Sequence, residues 1–208
     1  MLLDPSPRIT REEWRGYDKT VQNVINSLAL GDRITLATIA DARQGGFLKT
    51  FSTELSKPNS SLEARLDDSK RIQAFTNSYV ESKAQARSAS SNQLFDSLQG
   101  ASQILYQSRQ QTKWLVIMTD MMDSRLQRAI VHDKCATNTF HGDLKKVANE
   151  VAPMNGVRIF VHGAGGSGPT NNAYACTQMF WEQYFKDANA SELFYAKQLQ
   201  YIRLEDFQ

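Results

Sequence analysis

The chain has 208 residues, 41% of them hydrophobic and 22% charged, an ordinary globular balance with enough length to bury a core. Its 24 basic and 22 acidic residues leave a net charge of +2 with no Lys/Arg cluster, which argues against a nucleic-acid partner. The most apolar runs, at residues 115–118 and 157–161, are far short of the roughly 20 residues a bilayer requires, so no membrane insertion is expected.

No basic segment followed by an apolar one opens the chain, so no signal peptide is visible. Cys135 and Cys176 are the only cysteines and make no disulfide framework. Two reduced thiols in a soluble, cytoplasmic protein are the expectation.

Leu2-Leu3 is a short apolar run that ends at Asp4. Thr10-Arg-Glu-Glu13 is a capping box, in which the threonine oxygen and the glutamate carboxylate satisfy free N–H groups at a helix start. Trp14, Tyr17, Val21, Val24, Ile25 and Leu28 then recur at three- and four-residue spacing and predict one buried helix face. Gly31-Asp32 stops that helix, and Arg33–Ile39 reads as a strand. Gly45-Gly46 opens a second extended piece, Phe47–Leu55, with the pattern of an edge strand.

After a Pro/Asn/Ser loop at 56–61, residues 62–87 are helix-prone, with Leu62, Leu66, Ile72, Phe75 and Tyr79 as the apolar positions. The break at Ser88–Ser91 precedes another helix, with Leu94, Leu98, Ala101 and Leu105 on one side. Trp114–Met118 is a continuous apolar run of strand length, the mark of a central parallel strand covered on both faces. Residues 124–139 show no clear element, and Phe140–Val151 reads as a short amphipathic helix with Leu144, Val147 and Val151 inward. Val157–Val161 is a further strand, followed by a Gly-rich loop and an aromatic-rich helix over 171–187 with Met179, Phe180, Tyr184 and Phe185. Trp181 lies off the face of Phe180 and Tyr184, which leaves core or partner surface, with core favoured. The tail, Leu193–Phe207, is compatible with helix or strand.

This alternation predicts a single α/β domain over residues 1–208, a doubly wound, Rossmann-like, mainly parallel sheet flanked by helices on both faces. In such sheets ligands bind where loops leave the carboxyl ends of the strands. Those loops carry Asp4-Pro-Ser6-Pro-Arg8 and Thr119-Asp120-Met-Met-Asp123, with Ser90-Ser91-Asn92 ahead of a helix. Magnesium is a hard cation that takes carboxylate, hydroxyl and water oxygens in octahedral geometry. An aspartate and a hydroxyl two residues apart in one tight loop, joined by a second aspartate from a neighbouring strand end, suit it.

These parts resemble the von Willebrand factor A (vWA) family. Its metal-ion-dependent adhesion site has an Asp-x-Ser-x-Ser loop after the first strand, a threonine before a middle helix, and an aspartate after the central strand. Asp4 and Ser6 match the first two positions and Asp120 the last, over a resemblance that covers most of residues 1–165. Arg8 stands where the third loop position has serine, and the threonine position falls at Asn92 or, with a one-residue shift, at Ser91. The resemblance implies a protein-interaction module and no enzyme. Asp4, Ser6, Ser91 or Asn92, and Asp120 would hold Mg2+, with Mn2+ or Ca2+ as substitutes, and an acidic side chain of a partner protein would complete the cation.

Other readings remain beside it. Arg8 could supply the positive charge of a metal-free scaffold subunit, and Asp4 could merely cap the turn into the first helix. Gly163–Gly168 matches G-x-G-x-x-G, which would make the chain a nucleotide-binding protein, though it follows the last clear strand and no acidic residue closes a strand about twenty positions on. Ser167, His162 and one of several aspartates could be drawn as a hydrolase triad, without a G-x-S-x-G elbow. His132, Cys135 and His141 are fewer ligands than the four of a structural zinc site.

Overall fold

The structure, a computed structural model, describes residues 1–6, 9–41, 50–84, 92–123, 126, 151–165 and 171–196. Its strands are β1 (Leu2–Leu3), β2 (Arg33–Thr38), β3 (Ala40–Asp41), β4 (Thr50–Glu54), β5 (Asn92–Gln93), β6 (Lys113–Met118), β7 (Val157–His162) and β8 (Glu192–Ala196). The helices between them are α1 (Arg11–Ser27), α2 (Leu62–Ala84), α3 (Leu94–Gln107) and α4 (Asn171–Asp187). Six strands form one sheet in the order β4-β2-β1-β6-β7-β8, and β3 pairs with β5 in a separate two-stranded ladder. All neighbours in the large sheet run parallel except β4, which is antiparallel to β2 at the edge. This is the doubly wound α/β sheet that the alternating pattern predicts.

The strands' apolar runs are continuous because both faces of the sheet are covered. Leu2, Leu115, Ile117, Ile159 and Val161 point to the side of α3 and α4, where Leu94, Phe95, Leu98, Phe180 and Trp181 complete one core cluster. Leu3, Val116, Met118 and Phe160 point the other way, to Tyr17, Val21 and Val24 of α1 and Phe75 and Tyr79 of α2. Helix α1 opens as its sequence dictates: Thr10 accepts from the Glu13 N–H, and the Glu13 carboxylate accepts from the Thr10 N–H.

Three local expectations are corrected, at Leu62 and Leu66, at Met179 and at Cys176, whereas Trp181 takes the favoured core position and the tail opens as a strand, one of its two alternatives. Leu62 and Leu66 are 74% and 65% exposed rather than core. The start of α2 is held instead by buried Asp68, whose Oδ1 accepts from the Ser56 N–H, the Ser56 hydroxyl and Arg71. Met179 is likewise exposed, while Trp181 is fully buried. Trp181 belongs to the core because its ring packs on Phe95 and Phe185 and its indole N–H donates to the Met121 carbonyl at 2.9 Å. The tail begins as strand β8, parallel to β7, because Leu193 and Tyr195 pack against the α3–α4 cluster. Finally, Cys176 is disulfide-bonded and buried, against the expectation of reduced thiols. The other cysteine, Cys135, lies outside the described residues, as does the predicted helix over 140–151 apart from Val151 in the coil before β7.

Among the described residues no helix is long and apolar enough to cross a membrane.

Candidate metal centre at the carboxyl edge of the sheet

The register of β1 against β6 pairs Leu3 with Met118, so the next residues, Asp4 and Thr119, leave the sheet side by side. The Asp4 N–H still donates to the Met118 carbonyl at 2.9 Å, which holds the loop in line with the strand. Asp4 is fully buried. Its Oδ1 accepts from the Ser6 N–H at 2.7 Å, and its Oδ2 accepts from the Thr119 hydroxyl at 2.9 Å. Asp4 therefore shapes its own loop and ties it to the loop after β6, whereas Thr10 caps α1. Ser6 is 4% exposed, and its hydroxyl has no hydrogen-bond partner.

The loop after β6 is fixed from three sides. The Thr119 hydroxyl accepts from the Met121 N–H, and Asp120 Oδ1 accepts from the Met122 N–H at 2.9 Å. Met121 has a φ of 61°, which an L side chain adopts at a cost, and the Trp181 indole holds its carbonyl. Buried Asp123 accepts from the Leu94 N–H at 2.8 Å and faces Phe95 N–H as well, the free donors at the start of α3. The Gly165 N–H donates to the Asp120 carbonyl, so the loop after β7 closes against the same point.

Two further side chains define the edge from below. Tyr17 of α1 is fully buried with its ring edge-on to His162, centroids 5.1 Å apart, and its hydroxyl has no hydrogen-bond partner. Burial, and then the carboxylates of Asp4, Glu13 and Asp120, hold its phenol well above the ordinary tyrosine range. His162, at the end of β7, shares a 2.7 Å hydrogen bond between Nδ1 and the Thr20 hydroxyl. Burial lowers its pKa to about 4, against a smaller upward pull from the Glu13 carboxylate.

Asp4, Ser6 and Asp120 thus come to one edge, as their positions after strands predict. Ser91 and Arg8 lie outside the described residues, and Asn92 is placed only by its main chain, in β5 opposite Asp41. Thr119, Tyr17 and His162 complete the edge; Thr119 and His162 are legible in the sequence as strand-end residues, whereas Tyr17 carries no signal beyond its place on a helix face. His132, His141, Ser167 and residues 166–168 of the Gly-rich loop also lie outside the described residues. The two described loop glycines serve the protein's own tyrosines. A Cβ on Gly163 would meet the Tyr17 hydroxyl, and one on Gly165 would meet the Tyr174 ring.

The donor set fits a hard divalent cation. Among the described residues no three His, Cys, Asp or Glu side chains converge, so a soft or all-carboxylate cage is not what this edge offers. It offers two aspartates and the unbonded Ser6 hydroxyl, oxygen donors of the kind magnesium takes. No family model, curated protein or solved structure matches the chain.

Proposed function

We propose that the domain is a protein-interaction module of the vWA type that docks a partner protein at the carboxyl-end face of its sheet through a divalent cation. Asp4, Ser6 and Asp120 hold the ion, Mg2+ by preference, and Ser91 or Asn92 stands as an auxiliary oxygen. The bound cation supplies an electrophilic coordination position, which an acidic side chain of the partner fills. The observation that carries this reading is the buried Ser6 hydroxyl without a hydrogen-bond partner, two residues from a buried aspartate. A buried hydroxyl left unpaired is costly, about 1–3 kcal/mol, and a cation would satisfy it.

A ligand that binds only the folded state raises the melting temperature by mass action, with about 2.7 kcal/mol expected at a hundredfold excess over Kd. Thermal melts and calorimetry with MgCl2 and MnCl2 should show this stabilisation in the wild type and not in Asp4→Asn. The amide keeps an oxygen for the Ser6 N–H and can donate to the Thr119 hydroxyl, so the loop survives while the charge is lost. Absence of binding by either ion to the wild-type protein would sink the reading.

A disulfide-bonded Cys176 favours an oxidising compartment over the cytoplasm expected from the sequence. Thiol titration of the unreduced, denatured protein is expected to find no free thiol, and a count of two would return the protein to a reducing compartment.

A further inference from the structure

Tyr17 keeps a hydroxyl where the fold has no use for one. Its ring packs edge-on between Trp14 and His162, at 5.5 Å and 5.1 Å between centroids, a place that phenylalanine would fill as well. The oxygen is buried and unbonded, and the chain makes room for it at Gly163. That residue has a φ of +96°, and a Cβ there would lie 2.2 Å from the Tyr17 oxygen and 3.0 Å from the Thr119 carbonyl oxygen. The phenol oxygen therefore lies at the strand end from which Asp120 and the Asp4-binding Thr119 hydroxyl emerge.

Two buried hydroxyls, Ser6 from the first loop and Tyr17 from the second turn of α1, thus stand unbonded at one edge. The sequence has Arg8 where the loop pattern has its third hydroxyl. A tyrosine phenol ionises only at about pH 10 and so carries its proton at ordinary pH. It is therefore a hydrogen-bond donor.

We propose that Tyr17 is a positioning residue of the Asp4–Ser6–Asp120 site, its hydroxyl donating to a water on the bound cation and replacing the hydroxyl absent at position 8. The proposal rests on the cation reading above. Partners that orient the ligands of a metal matter by about 10–100-fold in affinity, and that is the size of effect expected here.

The test is Mn2+ titration of the full chain, followed by the electron paramagnetic resonance of the free ion, for the wild type, Tyr17→Phe and Asp4→Asn. Tyr17→Phe is expected to raise the Mn2+ Kd about 10–100-fold. Its metal-free melting temperature should stay the same or rise, because the lost hydroxyl bonds nothing in the metal-free fold. A merely structural tyrosine would do the reverse, lowering the metal-free melting temperature and leaving Kd unchanged. Wild-type affinity in Tyr17→Phe together with lost binding in Asp4→Asn would overturn the role of Tyr17 and leave the cation site standing. No Mn2+ binding by the wild type would overturn both.

Discussion

Gly163→Ala is expected to destabilise the protein by about 3–5 kcal/mol, because backbone strain and overpacking strike the same atom. The residue has a φ of +96°, where a Cβ is strained whatever the space around it. Here there is also no space: the new methyl would sit 2.2 Å from the Tyr17 hydroxyl and 3.0 Å from both the Tyr17 Cζ and the Thr119 carbonyl. The ring cannot swing aside, since Trp14 and His162 hold it edge-on from two sides. For a chain of this size the loss corresponds to a melting temperature lower by roughly 6–20 °C. Adding Tyr17→Phe removes the closest contact but leaves the positive φ and the Thr119 carbonyl, so it should restore only part of the stability. The two changes are therefore expected to couple, by about 0.5–3 kcal/mol in a double-mutant cycle. A Gly163→Ala protein melting within about 2 °C of the wild type would show that the loop after β7 is not locked to α1.

This lock was invisible in the sequence, and the reason is general. Spacing identifies Tyr17 as one of six apolar positions on a helix face, and the structure buries it with Val21 and Val24 as that spacing requires. Where the hydroxyl ends up depends on how far α1 slides along the sheet, which helical period does not encode. Asp4 and Asp120 were legible because a parallel sheet puts the residue after each strand at the ligand-binding edge, so chain order alone selects them. The same logic fails for Leu62 and Leu66. They fit the helical period, but the buried anchor at the start of α2 is Asp68, which is bonded to Ser56 and Arg71. Trp181 is the converse case. It lies off the Phe180–Tyr184 face yet is fully buried, because the loop after β6 offers its indole a carbonyl at Met121. Contacts between loops and helices distant in sequence decide each of these, and the local pattern holds no record of them.

Acid should weaken the same edge through His162. The ring is 3% exposed, bonded to the Thr20 hydroxyl, packed on Tyr17, and close enough to Gly16 that a Cβ there would lie 2.8 Å from Nε2. Burial sets its folded pKa at about 4, below the ordinary value of 6.5. Between these two values the unfolded chain binds more protons than the folded one, so stability rises with pH across that window. The contribution is complete above the ordinary histidine range and is lost as pH falls through about 4. Its full size is about 3 kcal/mol, or roughly 6–12 °C in melting temperature. Carboxylates titrate in the same range, so the measurement is the difference between wild type and His162→Gln, in which their contributions cancel. That difference should grow as pH rises from 4 towards 7, because the glutamine variant has lost the titrating group and keeps a polar partner for Thr20. A difference that stays constant from pH 4 to 7 would mean that His162 titrates normally in the folded state. Because the His162 carbonyl accepts from the Thr119 N–H, and its ring packs against Tyr17, charging the imidazole disturbs the floor under Asp4 and Asp120.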